Sequence, residues 1–411
     1  LYRAAELIRA RVDDIARTLT QEVGKPHAES KGETLAAAAQ FEWYAEEVKR
    51  RWGEWVPASA PEKRLLTLRM PIGVTAAIAP WNFPLLLISR KIAPALAVGC
   101  TAVGRPASQT PLATMEIFNC LHEAGFPPGV VNLVCCPPAD FADEAVENPV
   151  VRKISFTGSV PVGKELWARA GKNLKRLSLE LGGHSPFIVC DDVDPVEAAR
   201  KAVTAKFRNM GQVCISPSRF FVPEKMRPEF EAAAARFASG LRLGNGLDPA
   251  TEAGPVHDAI RRAECEALVE DAVDKGARVI AGGKRPTGPQ YEKGFWFEPT
   301  VLSGMTAEMV IMREEPFAPI LPVIGYERLE DAVKMANDTP FGLAAYVLTR
   351  DLSRALRLGE ELEAGIVGIN DVAPAAAQVP FGGMKESGVG REGGREGVDA
   401  YTEMKYLSIV V

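Results

Sequence analysis

Cys214 closes the run Phe207-Arg208-Asn209-Met210-Gly211-Gln212-Val213-Cys214, a helix-like stretch that breaks at a glycine and delivers a thiol into a turn. A thiolate attacks a carbonyl well, but a catalytic one needs an oxyanion donor, a base for the second half-reaction and an acceptor for the product electrons. Without those parts, a cysteine in such a place is a small buried residue. Pro80-Trp81-Asn82-Phe83-Pro84 pins the backbone with two prolines and sets Asn82 ahead of a helix. Its side chain is either an ordinary cap or an oxyanion donor, whose loss raises a barrier by roughly 2.7 to 4 kcal/mol. Leu179-Glu180-Leu181-Gly182-Gly183-His184-Ser185-Pro186 puts an acid at the end of an apolar strand. A carboxylate there is poorly solvated, which raises its pKa and makes it a usable base; the alternative is a strand-end charge facing water. His184 reads as a hydrogen-bonded turn residue.

The turn Phe156-Thr157-Gly158-Ser159-Val160-Pro161-Val162-Gly163-Lys164 has the spacing of a phosphate loop. Glu165 follows where a magnesium-binding Ser or Thr is required, which excludes that reading. A Gly-Ser turn opening a helix can still hold a pyrophosphate on its N–H groups. The glycine fingerprint of the ordinary Rossmann fold is absent.

These residues need positioning elements. Apolar positions at helical spacing over 3–20 and 30–50, broken at Gly24-Lys25-Pro26, predict two helices. Residues 51–70, with Trp52, Trp55, Pro57, Pro61 and the alternation Leu66 to Met70, read as an extended arm suited to a subunit contact. From 72 to 191 strand, loop and helix alternate, which means a parallel sheet with helices on both faces. Chemistry is then expected in the turns that follow the strands. A second alternating series over about 186–382 predicts a second α/β unit, and the final run Tyr406 to Val411 is free to pair with the arm.

The 411 residues suffice for two or three domains, and a net charge of −5 with both signs interspersed gives no basic stripe for nucleic acid. Seven scattered cysteines without a C-x-x-C pair, and four histidines, argue against a disulfide framework and a metal site. No apolar run reaches the about 18 residues that span a bilayer, and a cytoplasmic protein is the default. The chain opens at Leu1 inside a helical pattern, so a preceding segment is expected to be missing.

Taken together, Pro80-Trp81-Asn82-Phe83-Pro84, Phe156-Thr157-Gly158-Ser159, Glu180-Leu181-Gly182-Gly183 and Gly211-Gln212-Val213-Cys214 occur in the order of the NAD(P)-dependent aldehyde dehydrogenase superfamily. Glu314-Glu315-Pro316-Phe317 and Pro380-Phe381-Gly382-Gly383 extend the resemblance over the whole chain, and it looks most like the succinate semialdehyde dehydrogenase branch. The resemblance implies an α/β fold in three parts. These are a Rossmann-like cofactor domain (1–50 and 71–182), a catalytic domain (183–386) and an oligomerisation arm (51–70 and 402–411) serving a homodimer or homotetramer.

It also implies a mechanism. Cys214 attacks the aldehyde, Asn82 and the Cys214 N–H hold the oxyanion, hydride leaves for the nicotinamide, and Glu180 activates the hydrolytic water. Lys91 and Glu392 match residues that support proton movement. Pro80, Trp81, Gly158, Ser159, Gly182, Glu315 and Phe317 match cofactor positions. Arg90 and Arg208 match positions that grip a distal carboxylate, a task suited to guanidinium forks, with Phe381 lining the substrate site. The branch's usual serine is replaced within Pro374-Ala375-Ala376-Ala377, which makes glutarate semialdehyde a rival to succinate semialdehyde. Other readings are a dehydrogenase for neutral or aromatic aldehydes, a coenzyme-A-acylating relative, which Glu180 opposes, a non-catalytic relative, which Cys214 and Glu180 together oppose, and a thiol esterase side activity.

Cofactor choice falls on Gly104-Arg105-Pro106-Ala107-Ser108-Gln109. The family usually has Lys in place of Arg105, and NAD-preferring members often have Glu in place of Ser108. Arg105 can bind a 2′-phosphate bidentately and Ser108 does not repel it, so NADP is expected to serve at least as well as NAD. Replacing Ser108 by Glu should shift the kcat/KM ratio from NADP towards NAD; an unchanged ratio would refute this reading of the turn.

Overall fold

The computed structural model describes residues 1–411. It opens with three helices, α1 (Tyr2–Ala10), α2 (Val12–Val23) and α3 (His27–Glu47), where the sequence predicts two. The extra break falls at Arg11, whose backbone leaves helical values at φ −107° and ψ 16°; its side chain bonds Glu123 at 2.8 Å. Ala4, Ala5 and Ile8 on α1, and Ile15, Ala16, Leu19 and Val23 on α2, form the buried stripes expected of amphipathic helices. Gly24, in the left-handed conformation, ends α2, and Pro26 precedes α3.

A hairpin follows, β1 (Gly53–Val56) and β2 (Lys63–Pro71), and then the predicted alternation: β3 (Val74–Ile78), α4 (Pro84–Val98), β4 (Thr101–Arg105), α5 (Pro111–Glu123), β5 (Val131–Leu133), α6 (Pro138–Glu147), β6 (Val151–Thr157), α7 (Val160–Ala170) and β7 (Arg176–Glu180). The five strands β3 to β7 are mutually parallel in the order β5-β4-β3-β6-β7. The chain therefore builds outward from β3 on one side and restarts with β6 on the other. The crevice of such a sheet opens between the carboxyl ends of β3 and β6, where the Pro80–Asn82 and Thr157–Ser159 turns lie.

The second unit runs through β8 (Ser185–Val189), α8 (Pro195–Phe207), β9 (Pro217–Pro223), β10 (Arg278–Ala281), β11 (Thr300–Ser303), β12 (Ile320–Tyr326), β13 (Phe341–Gly342), β14 (Ala344–Leu348) and β15 (Ile366–Ile369). Its seven-stranded sheet, β10-β11-β12-β9-β8-β14-β15, is parallel except at the β10 edge. Cys214 precedes β9, and Gly182-Gly183 precedes β8. The nucleophile turn thus lies at the amino ends of this sheet and not, as expected, after a strand. The reason is the order of the units: β7 runs straight into β8, so the carboxyl edge of the first sheet meets the amino edge of the second.

Four short strands, β16 (Pro380–Phe381), β17 (Met384–Lys385), β18 (Gly388–Val389) and β19 (Glu392–Gly393), lead the chain back. Of these β18 pairs antiparallel with β7, setting Gly388 opposite Glu180, and β19 pairs with β16, setting Glu392 opposite Phe381. The last strand, β20 (Thr402–Val410), pairs antiparallel with β2 from Pro71↔Thr402 to Lys63↔Val410, so the expected pairing of arm and terminus forms and extends further upstream. No helix is long and apolar enough to cross a membrane.

Buried Arg219 on β9 stitches the second unit together. Its guanidinium donates to His184 O at 2.8 and 3.0 Å, Met335 O at 3.0 Å and Ala336 O at 2.8 Å. Arg219→Met leaves these carbonyls without a donor, at about 1–3 kcal/mol for each one that stays buried. The variant is expected to unfold at markedly lower urea concentration, as followed by circular dichroism.

Candidate active site

Helix α8 stops at Phe207, four residues before the glycine that the sequence suggests as the break. Asn209, Met210 and Gly211 follow with φ of 43°, 54° and 71°. Three left-handed residues in succession reverse the chain and aim Gln212 to Cys214 at the Asn82 turn. The Asn82 side-chain amide donates to Gln212 O at 3.0 Å, and Asn209 Nδ2 bridges Asn82 O at 3.4 Å and Gln212 O at 3.3 Å. An amide nitrogen carries two protons, so Asn82 can hold the loop with one and offer the other to an oxyanion. Desolvation pushes the Cys214 thiol up to about 12, the Glu315 and Glu180 carboxylates add to this, and Arg90 opposes it.

Glu180 ends β7 with neither carboxylate oxygen hydrogen-bonded. Burial, and then the neighbouring Glu392 charge, hold its carboxyl well above the usual range, against Lys91 and Arg90. A carboxylate in that state is proton-hungry, as a base must be. Behind it Glu392 Oε1 accepts from Lys91 Nζ at 2.5 Å and Ser155 Oγ at 2.9 Å, and Lys91 Nζ also donates to Thr157 Oγ1 at 2.6 Å. The strand ladders explain this convergence: β16–β19 delivers Glu392, and β18 covers Glu180 from the side.

Gly182 and Gly183 are required by close approach. A Cβ on Gly182 would stand 2.3 Å from Glu315 Oε2, and one on Gly183 would stand 2.6 Å from Cys214 O. Gly183 N instead donates to Glu315 Oε1 at 3.0 Å. Burial moves the Glu315 carboxyl up to about 7.

The cleft between β3 and β6 fits a dinucleotide. A Cβ on Gly158 would fill the turn, 2.3 Å from the Phe156 ring, and Ser159 stands at the start of α7 without making a side-chain cap. Those helical N–H groups are open to a pyrophosphate. At the far end of the cleft Arg105 donates to Ser108 Oγ at 2.8 Å and to Cys136 O at 3.3 Å, so the two residues singled out for cofactor choice are in contact. At the near end Trp81, after Pro80, stacks on His257 at 3.8 Å and meets Phe317 edge-on at 5.9 Å, forming an aromatic wall beside Glu315.

Arg90 is buried, with Nε unpaired and its guanidinium 4.1 Å from the Phe381 ring centre. It acts electrostatically on both Cys214 and Glu180. Arg208 is solvent-exposed, 4.8 Å over the Phe83 ring. The first is inside the site and the second at its rim. His184 bonds Ser218 Oγ at 2.8 Å and belongs to the buried framework. Sequence reasoning did not find His257, Gln212, Ser155, Lys25, Glu29 or Glu33. Of these only Lys25, in the break after α2, and Gln212, within the Gly211-Gln212-Val213-Cys214 motif, carried a local signal.

The profile of the aldehyde dehydrogenase family matches residues 1–407. A glutarate-semialdehyde dehydrogenase of Pseudomonas putida is 44% identical over 411 residues, covering 100% of this chain and 84% of that protein. An NADP(+) succinate-semialdehyde dehydrogenase of Escherichia coli (strain K12) is 46% identical over 398 residues, covering 97% and 82%. The crystal structure of an NADP-dependent enzyme of E. coli superposes with a TM-score of 0.97 at 44% identity, covering 100% of this chain and 84% of that one.

With the Cys214 thiol at about 12 and only the thiolate reactive, alkylation by iodoacetamide in the absence of cofactor should climb roughly tenfold per pH unit from neutrality to pH 10. Peptide mapping of the Cys214 adduct gives the profile. A plateau below pH 8 would show a thiolate already formed.

Proposed function

The chain belongs to the aldehyde dehydrogenase family, and from that membership we propose that it oxidises a carboxylate-bearing semialdehyde, succinate or glutarate semialdehyde, to the diacid with NADP or NAD. The observation that carries the substrate class is Arg90, a buried guanidinium with an unpaired Nε beside the nucleophile and the base. A buried cation without a partner is costly, and a substrate carboxylate would supply that partner. The names of the two relatives support the same class.

Glu315, Trp81, Phe317, the Gly158–Ser159 turn and Arg105 with Ser108 would hold NAD(P)+, which would supply the hydride acceptor. The chain's own residues do the rest. The Cys214 thiol gives its proton to the neighbouring unpaired Glu180 carboxylate, which passes it on before the second half-reaction; Sγ bonds the aldehyde carbon, and the negative oxygen is received by the second Asn82 amide proton and the Cys214 N–H. Loss of hydride leaves a thioester on Cys214. Glu180 takes a proton from water, the resulting hydroxide attacks the thioester carbon, and the Cys214 thiolate departs. The proton on Glu180 has Glu392 and Lys91 as its next partners. Because the Glu180 carboxyl is raised, the deprotonated base is lost early as pH falls, so hydrolysis of the thioester slows on acidification.

The first unit, residues 1–50 and 71–182, would carry the cofactor and residues 183–386 the chemistry, with the segment after 386 closing back on the first unit. Trp52, Trp55 and Tyr406, 66%, 64% and 59% exposed on the arm sheet, favour a contact with a further copy in a homodimer or homotetramer. The setting we propose is the cytoplasm, where free thiols stay reduced.

The test compares NADP reduction with succinate semialdehyde and with butanal. A charge-assisted contact of about 1.5–3 kcal/mol corresponds to about ten- to a hundredfold in kcat/KM. Arg90→Met should erase that preference. Equal rates for the two aldehydes in the unaltered enzyme would sink the arginine clamp and leave a dehydrogenase for neutral aldehydes.

A further inference from the structure

The amino-terminal turn of α3 touches both halves of the catalytic pair. Lys25 is buried and its Nζ pairs with the buried Glu33 carboxylate. The same Nζ donates to Asn82 O at 3.1 Å and lies 4.0 Å from the Phe83 ring centre. The other Glu33 oxygen accepts from Leu85 N at 2.8 Å and Leu86 N at 3.2 Å. These are first-turn N–H groups of α4, which has no side-chain cap of its own. One helical turn before Glu33, on the same face, Glu29 accepts from Asn209 N at 2.9 and 3.2 Å, the first left-handed residue of the nucleophile loop. Three side chains, Lys25 just ahead of α3 and Glu29 and Glu33 on its first two turns, thus hold the Asn82 turn of the first unit and the Cys214 loop of the second.

The corner is itself fixed to the second unit. His27 N donates to Gly246 O at 2.8 Å, and a Cβ on Gly246 would stand 2.3 Å from Lys25 O. A buried ion pair is a poor stabiliser, because well-packed apolar residues of similar volume often do as well. What the Lys25–Glu33 pair supplies, and an apolar pair would not, is one directed donor for a loop carbonyl and one directed acceptor for a helix terminus.

We infer that Lys25, Glu33 and Glu29 are positioning residues that set the separation of the Asn82 amide from the Cys214 thiol, and so act on turnover without touching substrate or cofactor. The inference rests on the reading of Asn82 as oxyanion donor and Cys214 as nucleophile. It deepens that reading by assigning the alignment of the two units to a third segment, far from either in sequence.

The experiment is a double-mutant cycle on the full chain. The charge-neutral pair Lys25→Met with Glu33→Gln keeps an acceptor for α4 while removing the hold on Asn82. Glu29→Ala, at a half-buried position, releases the nucleophile loop independently and serves if the first variant fails to fold. Each is measured alone and combined with Asn82→Ala for kcat and KM with succinate semialdehyde, for NADP affinity by fluorescence, and for thermal midpoint. A misalignment of about 1 Å costs on the order of a hundredfold, so kcat is expected to fall about ten- to a hundredfold with NADP affinity unchanged. In the Asn82→Ala background little further loss is expected, since there is no amide left to misplace. Wild-type kcat in both variants, or losses that multiply fully with that of Asn82→Ala, would overturn the inference and leave the oxyanion reading intact. Full turnover in Asn82→Ala alone would instead remove the oxyanion reading on which it rests.

Discussion

A Cβ on Gly183 would stand 2.6 Å from the carbonyl oxygen of Cys214. That contact of backbone with backbone, in the link between β7 and β8, sets how near the Cys214 loop comes to the end of β7. The rest of the site follows from it. Glu180 ends β7 just before the glycines, the Cys214 loop lies against them, and Glu315 receives the Gly183 N–H. A side chain at Gly182 would displace Glu315, and one at Gly183 would push the Cys214 loop away, loosening the hydrogen bond that loop shares with the Asn82 amide.

The closeness has an electrostatic consequence. Glu180 and Glu392 are buried and Glu315 is half-buried around a thiol, and desolvation works against ionisation at Glu180, Glu315 and Cys214 alike. Lys91 and Arg90 offset part of this without neutralising it. Lys91 is spent on Glu392 and Thr157, and Arg90 lies against Phe381 with Nε free. The centre is thus short of positive charge until ligands arrive. An oxidised nicotinamide, being cationic, would favour the thiolate, and under the proposed function a substrate carboxylate would engage Arg90.

What the sequence made legible was local. Asn82 and Cys214 sit in turns, and Glu180 at a strand end, that glycines or prolines announce, and the strand–helix alternation predicted the five parallel strands of the first sheet, though not the antiparallel β18. The helix break at Arg11 was hidden because no glycine or proline marks it. The side of the second sheet on which Cys214 would fall was hidden too, since strand periodicity does not show how two units are joined. Lys25, Glu29 and Glu33 looked like the polar residues of an ordinary helix start. Their partners are Asn82, Leu85 and Asn209, between 52 and 180 positions away. No spacing rule reaches that far.

The left-handed residues around the site bind these points together. Asn209, Met210 and Phe317 all have positive φ without being glycine. Such conformations cost about 1–3 kcal/mol each and persist only where their surroundings over-determine them. Asn209 is over-determined: Glu29 takes its N–H, Gln212 Nε2 donates to its carbonyl at 3.0 Å, and its own side chain spans the Asn82 and Gln212 carbonyls. Gly211 beyond it packs so closely on Ala318 O that a Cβ would come within 2.2 Å, which couples the nucleophile loop to the Glu315–Phe317 turn. Strain in the nucleophile loop is therefore opposed from α3 on one side and from the turn bearing Glu315 on the other. A loop held from both sides cannot relax by moving towards either, and this keeps Cys214 in register with Asn82 although the two are contributed by different sheets.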